Sequence, residues 1–404
     1  MAERRQLPPQ IRRVELARRV GSKPVVRYQL TVDTGIVDGK RKQLRRRYNT
    51  EKEARAALAE IQGQVATGTY VQPSTLTIEQ ACADWLRSRH KIRPTTAAGY
   101  EHILQPVRSD LGEMAVQDLA RRHIDDLIVK LRSGELARLG GRAPKKWSAR
   151  SRNYMLGALS QVLAQLVAEG RLTRNVAALV DRAEGKAKRF ETFSPDQVLT
   201  VLGGIADDRN RHAWHLALAG LRRGEIAGQR WEDVDFEKRT LRIGTTRVDV
   251  GGRALDQDQP KTASAGRILP IPDALLAELT AAKARQAAEK LARGGAYANL
   301  GYVVCDEAGE PYHASTLSKL WQAAIKNLDV PRVRLHDARH TCATLMHLQG
   351  VPIALVAAWL GHADVSFTFR TYVHAQPEAL AVAARSFRPH ASSAGDRRTR
   401  SCVR

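Results

Sequence analysis

The sequence is poor in cysteine, and its cysteines are scattered. Among its 404 residues there are four, and no two of them form a C-x-x-C pair: Cys82, Cys305, Cys342 and Cys402. Structural zinc sites and disulfide frameworks need cysteines at short, repeated spacings. The sequence therefore argues against both, and any chemistry must come from other residue types.

Long apolar runs are also missing. The longest, around residues 354–360, is far shorter than the roughly 20 residues that cross a bilayer. The N-terminal MAERRQLPPQ has no apolar segment like that of a secretory signal. We therefore predict a soluble, cytoplasmic protein that makes no membrane contact.

Acidic residues are also fewer than basic ones. Lysine and arginine number 65 against 42 aspartates and glutamates, which gives a formal charge of +23 and a pI near 10.3. A surface of this sign attracts polyanions, so nucleic acid is the first candidate partner. With about 100–200 residues per domain, we expect a multidomain protein with three domains.

Residues 1–70 are predicted to form a small three-stranded sheet packed on one helix. Segments 25–32 and 43–50 have strand character, with turn residues between them. Thr50 and Glu53 then form a capping box at the start of an amphipathic helix. Basic residues on the strands could contact DNA, and the candidates are Arg27, Lys40, Arg41, Lys42, Arg45, Arg46 and Arg47. The alternative is an ordinary solvated basic hairpin.

Residues 76–181 are predicted to form an all-helical domain. Thr77 and Gln80 repeat the capping signal, and a second apolar stripe runs from Met155 to Leu166. The helix approaches are basic and could grip a duplex backbone through side chains and helix N-termini. The candidate DNA contacts here are Arg93, Thr95, Thr96, Lys145, Lys146, Arg150 and Arg152. Taken alone, the segment indicates only a basic helical domain.

A charged tether at 185–193 precedes a third domain, which we expect over residues 190–385. Ser194, Pro195 and Gln197 provide an N-cap, an N1 proline and an N3 acceptor for its first helix. Helices and one strand pair, 241–243 with 267–271, should give a mainly helical α+β fold. Residues 386–404 are polar and aperiodic, which predicts a flexible tail.

Four short stretches of the third domain hold polar residues that core packing does not explain: AGLRRGEIAG (219–228), QPKTASAGR (259–267), LHDARHTCATL (335–345) and LGHADVSFTFRTYVH (360–374). Together they offer two arginines, a lysine, two histidines and a tyrosine, without a metal-binding cluster. Arginine forks match phosphate oxygens. Phosphoryl transfer needs charge stabilisation, an in-line nucleophile and a proton for the leaving oxygen. This set can supply all three.

Each of these residues has an ordinary explanation when taken singly. Tyr372 alone is more often a core or interface aromatic, and Gly361 alone is a helix terminator. His336 and Arg339 alone would be a surface pair, and Lys261 a solvated turn residue. Only their order and spacing together favour a catalytic site.

The joint pattern resembles the signature of the tyrosine recombinases, the phage integrase family, over about residues 190–385. The resemblance implies six catalytic residues, with Glu225 as a supporting acidic partner and Tyr372 as the nucleophile: Arg222, Lys261, His336, Arg339, His362 and Tyr372. The chain departs from the family at Ala219, where many members have threonine. It also departs in a long loop, RVDVGGRALDQDQ, that precedes Lys261.

The resemblance extends to the two front domains. The helical domain is similar to the SAM-like core-binding domain of these enzymes, and the leading domain to the arm-binding domain of larger phage integrases. The family implies a site-specific recombinase that cuts and rejoins attachment-site DNA through a 3′-phosphotyrosyl intermediate, without metal, cofactor or ATP. It would integrate or excise a phage or other mobile element.

The partners that the resemblance implies are double-stranded DNA, at core and arm-type sites, and three further copies of the chain in a homotetramer. An excisionase and a host DNA-bending protein are additional candidates, and the expected location is the nucleoid of a bacterial host. Three alternatives stay open: a type IB topoisomerase, a chromosome-resolution recombinase, and a non-catalytic DNA-binding protein with the same fold.

Overall fold

The computed structural model describes residues 6–20, 23–37, 40–67, 70–136, 145–185, 190–257 and 266–372. The chain divides into two compact units, Met1–Lys186 and Ala187–Arg404. The predicted fold class is confirmed: a small sheet-plus-helix domain, an all-helical domain and a mainly helical α+β domain follow one another. Their boundaries stay predictions, and the proposed tail lies outside the described residues. Within the described ranges, no helix is both long and apolar enough to cross a membrane.

The first domain is an antiparallel sheet in the order β1 (Ile11–Val20), β2 (Lys23–Val37), β3 (Lys40–Tyr48), followed by helix α1 (Glu51–Ala66). As predicted, the Thr50 hydroxyl caps α1 by accepting from the Glu53 backbone N–H at 3.2 Å. Apolar side chains from one sheet face and from α1 form the small core: Ile11, Leu30, Val32, Ala54, Leu58 and Ile61.

Two details of this sheet differ from the sequence analysis. The segment expected as a turn is mostly strand, because β2 continues to Val37 and β3 begins at Lys40. A register shift between Asp33 and Gly35 absorbs an extra residue and lets the ladder continue. The third strand, β1, forms one edge of the sheet, and the sequence pattern alone assigns no strand to these residues.

The second domain packs four helices around one core: α2 (Ile78–Ser88), α3 (Pro94–Leu111), α4 (Arg121–Ser133) and α5 (Ala149–Ala168). The predicted capping box of Thr77 and Gln80 is present in full at the start of α2. Trp85, Leu104 and Met155 are among its fully buried side chains. A bidentate contact between Arg108 and Glu79 links α3 to α2 at the edge of this core.

The third domain begins with the predicted Ser194 cap and contains eight helices over its described residues: α6 (Pro195–Gly204), α7 (Arg211–Leu218), α8 (Arg223–Gly228), α9 (Asp273–Arg293), α10 (Ala314–Ala324), α11 (Leu335–Leu348), α12 (Ile353–Leu360) and α13 (Val365–Tyr372). Its sheet has the order β4 (Val234–Asp235), β5 (Thr240–Ile243), β8 (Arg267–Pro270). The expected strand pair is therefore confirmed, with Ile243 opposite Arg267.

The prediction of a long loop before Lys261 is wrong over most of that segment. The segment forms a hairpin of β6 (Thr246–Val250) and β7 (Arg253–Gln257). Gly251 and Gly252 connect the strands with φ values of 57° and 82°. Both values are positive, as the favoured two-residue hairpin turn requires, and glycine adopts them without steric cost.

Candidate active site

The C-terminal end of α12 is the structural centre of the candidate site. Gly361 adopts the left-handed conformation, with φ 66° and ψ 47°, and ends the helix. The N–H of His362 then turns back to the Ala357 carbonyl at 3.0 Å. A helix end leaves its last carbonyls without intrahelical partners and carries a partial negative charge. It is therefore a place where cationic side chains are stabilised.

Three arginines from distant parts of the chain bind three successive carbonyls at this helix end. Arg267 donates through Nε to the carbonyl of residue 359 at 2.7 Å. Arg339 donates to the carbonyl of residue 360, and Arg222 to that of residue 361 at 3.0 Å. Arg339 also donates to the Gly220 carbonyl at 2.6 Å. The turn thus fixes the positions of three guanidinium groups relative to one another.

Glu225 is a carboxylate, only 3% exposed, that hydrogen-bonds two of these arginines and lies 4.0 Å from Nη1 of the third, Arg339. It accepts from the Arg222 backbone N–H and from Arg222 Nη1, each at 2.8 Å. Both Nη groups of Arg267 donate to it, at 3.2 and 3.1 Å. Burial by itself raises the pKa of Glu225, but the hydrogen bonds and charge of Arg267 and Arg222 outweigh that effect, and the pKa is lowered. Glu225 is therefore an ionised partner of both arginines.

The three guanidinium groups differ in what a ligand could reach. The Arg222 side chain is 34% exposed, whereas the Arg267 side chain is 7% exposed. Arg339 is 2% exposed. Arg222 is exposed enough to contact a ligand directly. Arg267 and Arg339 are buried, so they can affect a ligand through their charge and through the side chains that they hold in place.

The histidines of the site are held in the neutral form. Partial burial and the positive charges of Arg339 and Arg222 lower the pKa of His362 to about 4. Partial burial and Arg339 also lower the pKa of His336, which lies near the start of α11. The same two arginines act on both rings, so the four side chains share one charged neighbourhood. Each neutral imidazole has one unprotonated ring nitrogen and can accept a proton there.

His340 is a histidine of the HDARH stretch that the sequence analysis did not single out. It is buried, stacks on Phe190 at a centroid distance of 4.3 Å, and meets His336 edge-on at 5.5 Å. Burial and the neighbouring His336 lower its pKa to about 4. Its edge-on contact packs against the ring of His336.

Two predicted catalytic side chains lie outside the described residues. One is Lys261, which falls in the gap between residues 257 and 266. The other is the side chain of Tyr372, whose backbone ends α13. Tyr372 follows Thr368 by four positions, so the two positions share one face of α13. The Thr368 hydroxyl lies 2.7 Å from Nδ1 of His362, which joins α13 to the candidate site.

The structure thus brings together Arg222, Glu225, His336, Arg339 and His362, and it adds Arg267; their catalytic roles stay predictions. The sequence analysis missed Arg267, although this residue ends the QPKTASAGR stretch. An arginine that opens a short strand has no partner at a local spacing, so no sequence signal distinguished it from a solvated residue. No group of three or more metal-ligating side chains is found among the described residues.

The predicted DNA contacts of the first domain divide between the two sheet faces. Gln29 pairs with Arg12 on one side and Arg47 on the other, whereas the buried Leu30 pairs with Arg46. Because paired residues share a face and successive residues alternate, Arg27, Arg45 and Arg47 lie on the face opposite α1, and Arg46 lies on the α1 side. Lys40, Arg41 and Lys42 belong to β3, but their side chains are outside the described part.

In the second domain, the predicted contacts surround the starts of α3 and α5. Arg93 is the N-cap position of α3, Thr95 and Thr96 occupy its first turn, and Arg150 and Arg152 occupy the first turn of α5. The exposed Lys145 and Lys146 precede α5. Stacking of Tyr100 on Tyr154, at 6.2 Å between centroids, brings the N-terminal halves of the two helices together. Two helix N-termini and their basic side chains therefore share one region.

Comparison with known families gives three matches along the chain. Residues 192–379 match the model described as the phage integrase family. Residues 23–65 match an arm DNA-binding domain, and residues 77–132 match the N-terminal SAM-like domain of phage integrases. The order of the matches is the order of the three domains described above.

Similar proteins and structures agree with these matches. A tyrosine recombinase XerC-like protein of Caldanaerobacter subterraneus subsp. tengcongensis is 30% identical over 376 residues, which are 87% of this chain and 93% of that protein. The Tn1549 transposon integrase, solved with transposon right-end DNA, superposes with a TM-score of 0.63 at 18% identity, over 77% of this chain and 99% of that one. A lambda integrase from a tetramer bound to a Holliday junction gives a TM-score of 0.52 at 18% identity, over 92% and 96%.

Proposed function

This chain belongs to the tyrosine recombinase family, the phage integrases, and from that membership we propose that it is a site-specific integrase. It cuts and rejoins attachment-site DNA through a 3′-phosphotyrosyl intermediate, and thereby integrates or excises a phage or other mobile element. The observation that carries the proposal is the end of α12, where three guanidinium groups bind successive carbonyls and His362 contacts Thr368 of α13, the helix that ends at Tyr372.

The first part of the mechanism is charge stabilisation. Glu225 offsets one of the three arginine charges, so the neighbourhood keeps a net positive charge for a DNA phosphate. Arg222, the most exposed of the three, contacts the phosphate, and Arg339 adds its charge from the buried side. Fixed charges in a partly buried site stabilise the negative charge that grows on the phosphoryl oxygens, because they need no reorganisation during the reaction.

The second part is the transfer itself. The Tyr372 oxygen forms a bond to phosphorus, the bond from phosphorus to the 5′ oxygen breaks, and the 3′ phosphate becomes linked to the tyrosine. A phenol has a pKa of about 10, so its proton must pass to a base, and the neutral His336 or His362 can accept it. His362 also braces the phosphate. Lys261 is the proposed general acid that gives a proton to the departing 5′ oxygen.

The third part is resealing. The phosphotyrosyl bond retains the energy of the broken phosphodiester, so a 5′ hydroxyl from a partner strand can attack it and release Tyr372. This exchange needs no ATP. It requires four copies of the chain on two DNA sites, and we expect the segment after residue 385 to connect neighbouring copies. The chemistry as proposed uses no metal ion.

DNA binding by the front domains completes the proposal. The sheet face that carries Arg27, Arg45 and Arg47 contacts accessory arm sites, and Lys40, Arg41, Lys42 and Arg46 of β3 are further candidate contacts. The starts of α3 and α5 grip the core site through Arg93, Thr95, Thr96, Lys145, Lys146, Arg150 and Arg152. An excisionase and a host DNA-bending protein are the proposed accessory partners.

A pool of nicked duplexes tests the proposal even though the attachment-site sequence is not specified. Each duplex has a randomised core beside a nick, so that cleavage releases a short strand and traps the covalent intermediate. We expect the wild-type chain to enrich one family of core sequences as a covalent adduct, which peptide mapping places on Tyr372. Tyr372→Phe, which lacks only the attacking hydroxyl, should still bind DNA and yield no adduct.

A wild-type chain that binds the pool and forms no adduct would instead indicate the non-catalytic DNA-binding protein. A supercoiled plasmid with two copies of the recovered core and its flanking sequences separates the remaining alternatives. An integrase produces recombinant circles from this plasmid, whereas a type IB topoisomerase only relaxes it. Dependence of recombination on residues 1–70 would distinguish the integrase from a chromosome-resolution recombinase.

A further inference from the structure

We infer that Arg267 is a positioning residue of this site: it supplies the counter-charge of Glu225, and so leaves the charge of Arg222 available to the DNA phosphate. The inference rests on the proposed function, because it concerns the same phosphate. Nothing in the catalytic pattern includes this arginine. Its contacts, the charges around Glu225 and its burial each support the role.

The contacts of Arg267 use all three of its nitrogen positions. Nε donates to the carbonyl of residue 359 at 2.7 Å, and the two Nη groups donate to the two carboxylate oxygens of Glu225 at 3.2 and 3.1 Å. This is the bidentate geometry that fits a guanidinium to a carboxylate. Arg267 also opens β8 and pairs with Ile243 in the sheet. The guanidinium therefore joins the sheet, α8 and the end of α12.

The charge of Arg222 depends on how many counterions Glu225 has. Arg222 Nη1 lies 2.8 Å from Glu225 Oε1, and Arg339 Nη1 lies farther away, 4.0 Å from Oε2, so without Arg267 the carboxylate would neutralise mainly Arg222. Arg267 binds both oxygens of the same carboxylate and forms a neutral, buried pair with it. Glu225 can then hold Arg222 in place by hydrogen bonds while most of the Arg222 charge stays uncompensated. Without Arg267, the Glu225 carboxylate would compete with the DNA phosphate for the charge of Arg222.

Burial excludes a direct role for Arg267. Its side chain is 7% exposed, and the donors are directed to protein acceptors, so the guanidinium does not meet DNA in this arrangement. It acts through Glu225 and the helix end. A role of this kind predicts that neutralising both members of the pair restores activity, whereas a purely architectural role predicts further loss.

The test measures the rate of covalent adduct formation on the nicked duplex recovered from the pool, for the full chain and its variants. Arg267→Gln is expected to slow the reaction by about tenfold or more, since it leaves Glu225 with Arg222 as its main counterion. The double variant Arg267→Gln with Glu225→Gln has the same net charge as the wild type, and should react at least about threefold faster than Arg267→Gln. Arg267→Lys, which keeps the charge and loses the fork, should lie between wild type and Arg267→Gln.

A matched control comes from Arg209 and Glu289, a similarly paired and partly buried couple in the same unit. Arg209→Gln also breaks a carboxylate pair, but it should leave the adduct rate per folded molecule within about twofold of the wild type. The inference is overturned if Arg267→Gln reacts like this control, or if the double variant is no faster than Arg267→Gln. If Arg267→Gln does not fold, Arg267→Lys and the double variant decide: both should stay within about tenfold of wild type, and larger losses in both overturn it.

A second measurement tests the positioning role of Arg267 without any DNA cleavage. Amide hydrogen exchange on the DNA-free chain follows the N–H groups of Gly361 and His362, which close the end of α12. Arg267→Gln should speed their exchange, and Arg209→Gln should not. If the wild type forms no adduct on any duplex, the proposed function fails, and this exchange result alone then decides whether Arg267 positions the site. Unchanged exchange in Arg267→Gln contradicts the inference.

Discussion

The hydroxyl of Thr368 lies 2.7 Å from Nδ1 of His362. Thr368 is 0% exposed and belongs to α13, whereas His362 follows the end of α12. The contact therefore joins the helix that ends at Tyr372 to the turn that binds the three arginines. It also fixes the orientation of the imidazole, since a hydrogen bond at one ring nitrogen determines how the other can be used.

Replacing Thr368 by valine tests this contact. Valine has nearly the same shape but no hydroxyl, so the core should remain packed while the hydrogen bond between Thr368 and His362 is lost. We expect the rate of adduct formation on a nicked duplex to fall by about tenfold. Thr368→Ser keeps the hydroxyl and should retain most of the activity. Equal rates for Thr368→Val and the wild type would remove any role of the contact in catalysis.

Gly220 provides a second prediction, on the backbone that supports Arg339. Its φ is 95°, its carbonyl accepts from Arg339 at 2.6 Å, and an added Cβ would lie 3.0 Å from Leu360 Cδ2. Gly220→Ala should therefore lower the free energy of unfolding by about 1–3 kcal/mol and slow adduct formation. Urea titration and the nicked-duplex assay measure the two effects.

The matched control for this glycine is Gly350, which has a φ of 79° and nothing within 4 Å of an added Cβ. Gly350→Ala introduces the same kind of backbone strain without a steric clash, at a cost of about 1 kcal/mol. It should leave the adduct rate of the folded protein unchanged. If both alanine variants lose activity equally, the carbonyl of residue 220 has no specific part in holding Arg339.

The two faces of the first sheet predict unequal contributions to DNA binding. Arg45 and Arg47 lie on the face opposite α1, and Arg46 lies between them on the α1 side. Arg45→Gln and Arg47→Gln should each reduce the slope of log K against log salt by about 1. Arg46→Gln, which removes the same charge from the neighbouring position, should change it less. Fluorescence anisotropy with a duplex over a range of salt concentrations measures the slopes, and equal effects at the three positions contradict the assignment.

Buried neutral histidines predict how stability depends on pH. Burial and the charge of Arg285 lower the pKa of His212 to about 3, and Nε2 lies 3.0 Å from the Val303 carbonyl. An unfolded histidine titrates near pH 6.5, so the unfolded chain binds more protons below that pH. The stabilising contribution of neutral His212 is therefore complete above about pH 6.5 and is lost as pH falls toward 3.

Between about pH 7 and pH 5, we expect His212 to reduce the free energy of unfolding by about 2 kcal/mol. His340, with its pKa near 4, adds to the same trend. Urea titrations at the two pH values measure the total, and His212→Gln should show a smaller decrease than the wild type. A free energy of unfolding that does not change over this range would contradict the burial of a neutral imidazole.

Local signals explain which parts of the fold could be predicted from the sequence. The caps at Thr50, Thr77 and Ser194 each depend on a residue three positions away, and all three are present in the structure. The strand pair of β5 and β8 is also confirmed. The β6–β7 hairpin was missed although Gly251–Gly252 is a recognised hairpin signal, because polar residues on both faces concealed the alternation.

Long-range contacts explain what could not be predicted. Arg267 contacts Glu225 across 42 residues and the carbonyl of residue 359 across 92, and no spacing rule operates over such distances. Arg222, Arg339 and His362 were identified only because their joint pattern resembles a known family. Their convergence follows from the position of the α12 end, which no single stretch of sequence specifies.

The dependence of three arginines on one turn has a consequence for synthesis of the protein. Arg222, Arg267 and Arg339 are all translated before residues 359–361, whose carbonyls they bind. A polypeptide that is still emerging from the ribosome without this turn cannot complete the arrangement, however much of the domain has already folded. The three guanidinium groups can therefore take up their positions only after residue 361 has been added, when most of the third domain has already been translated.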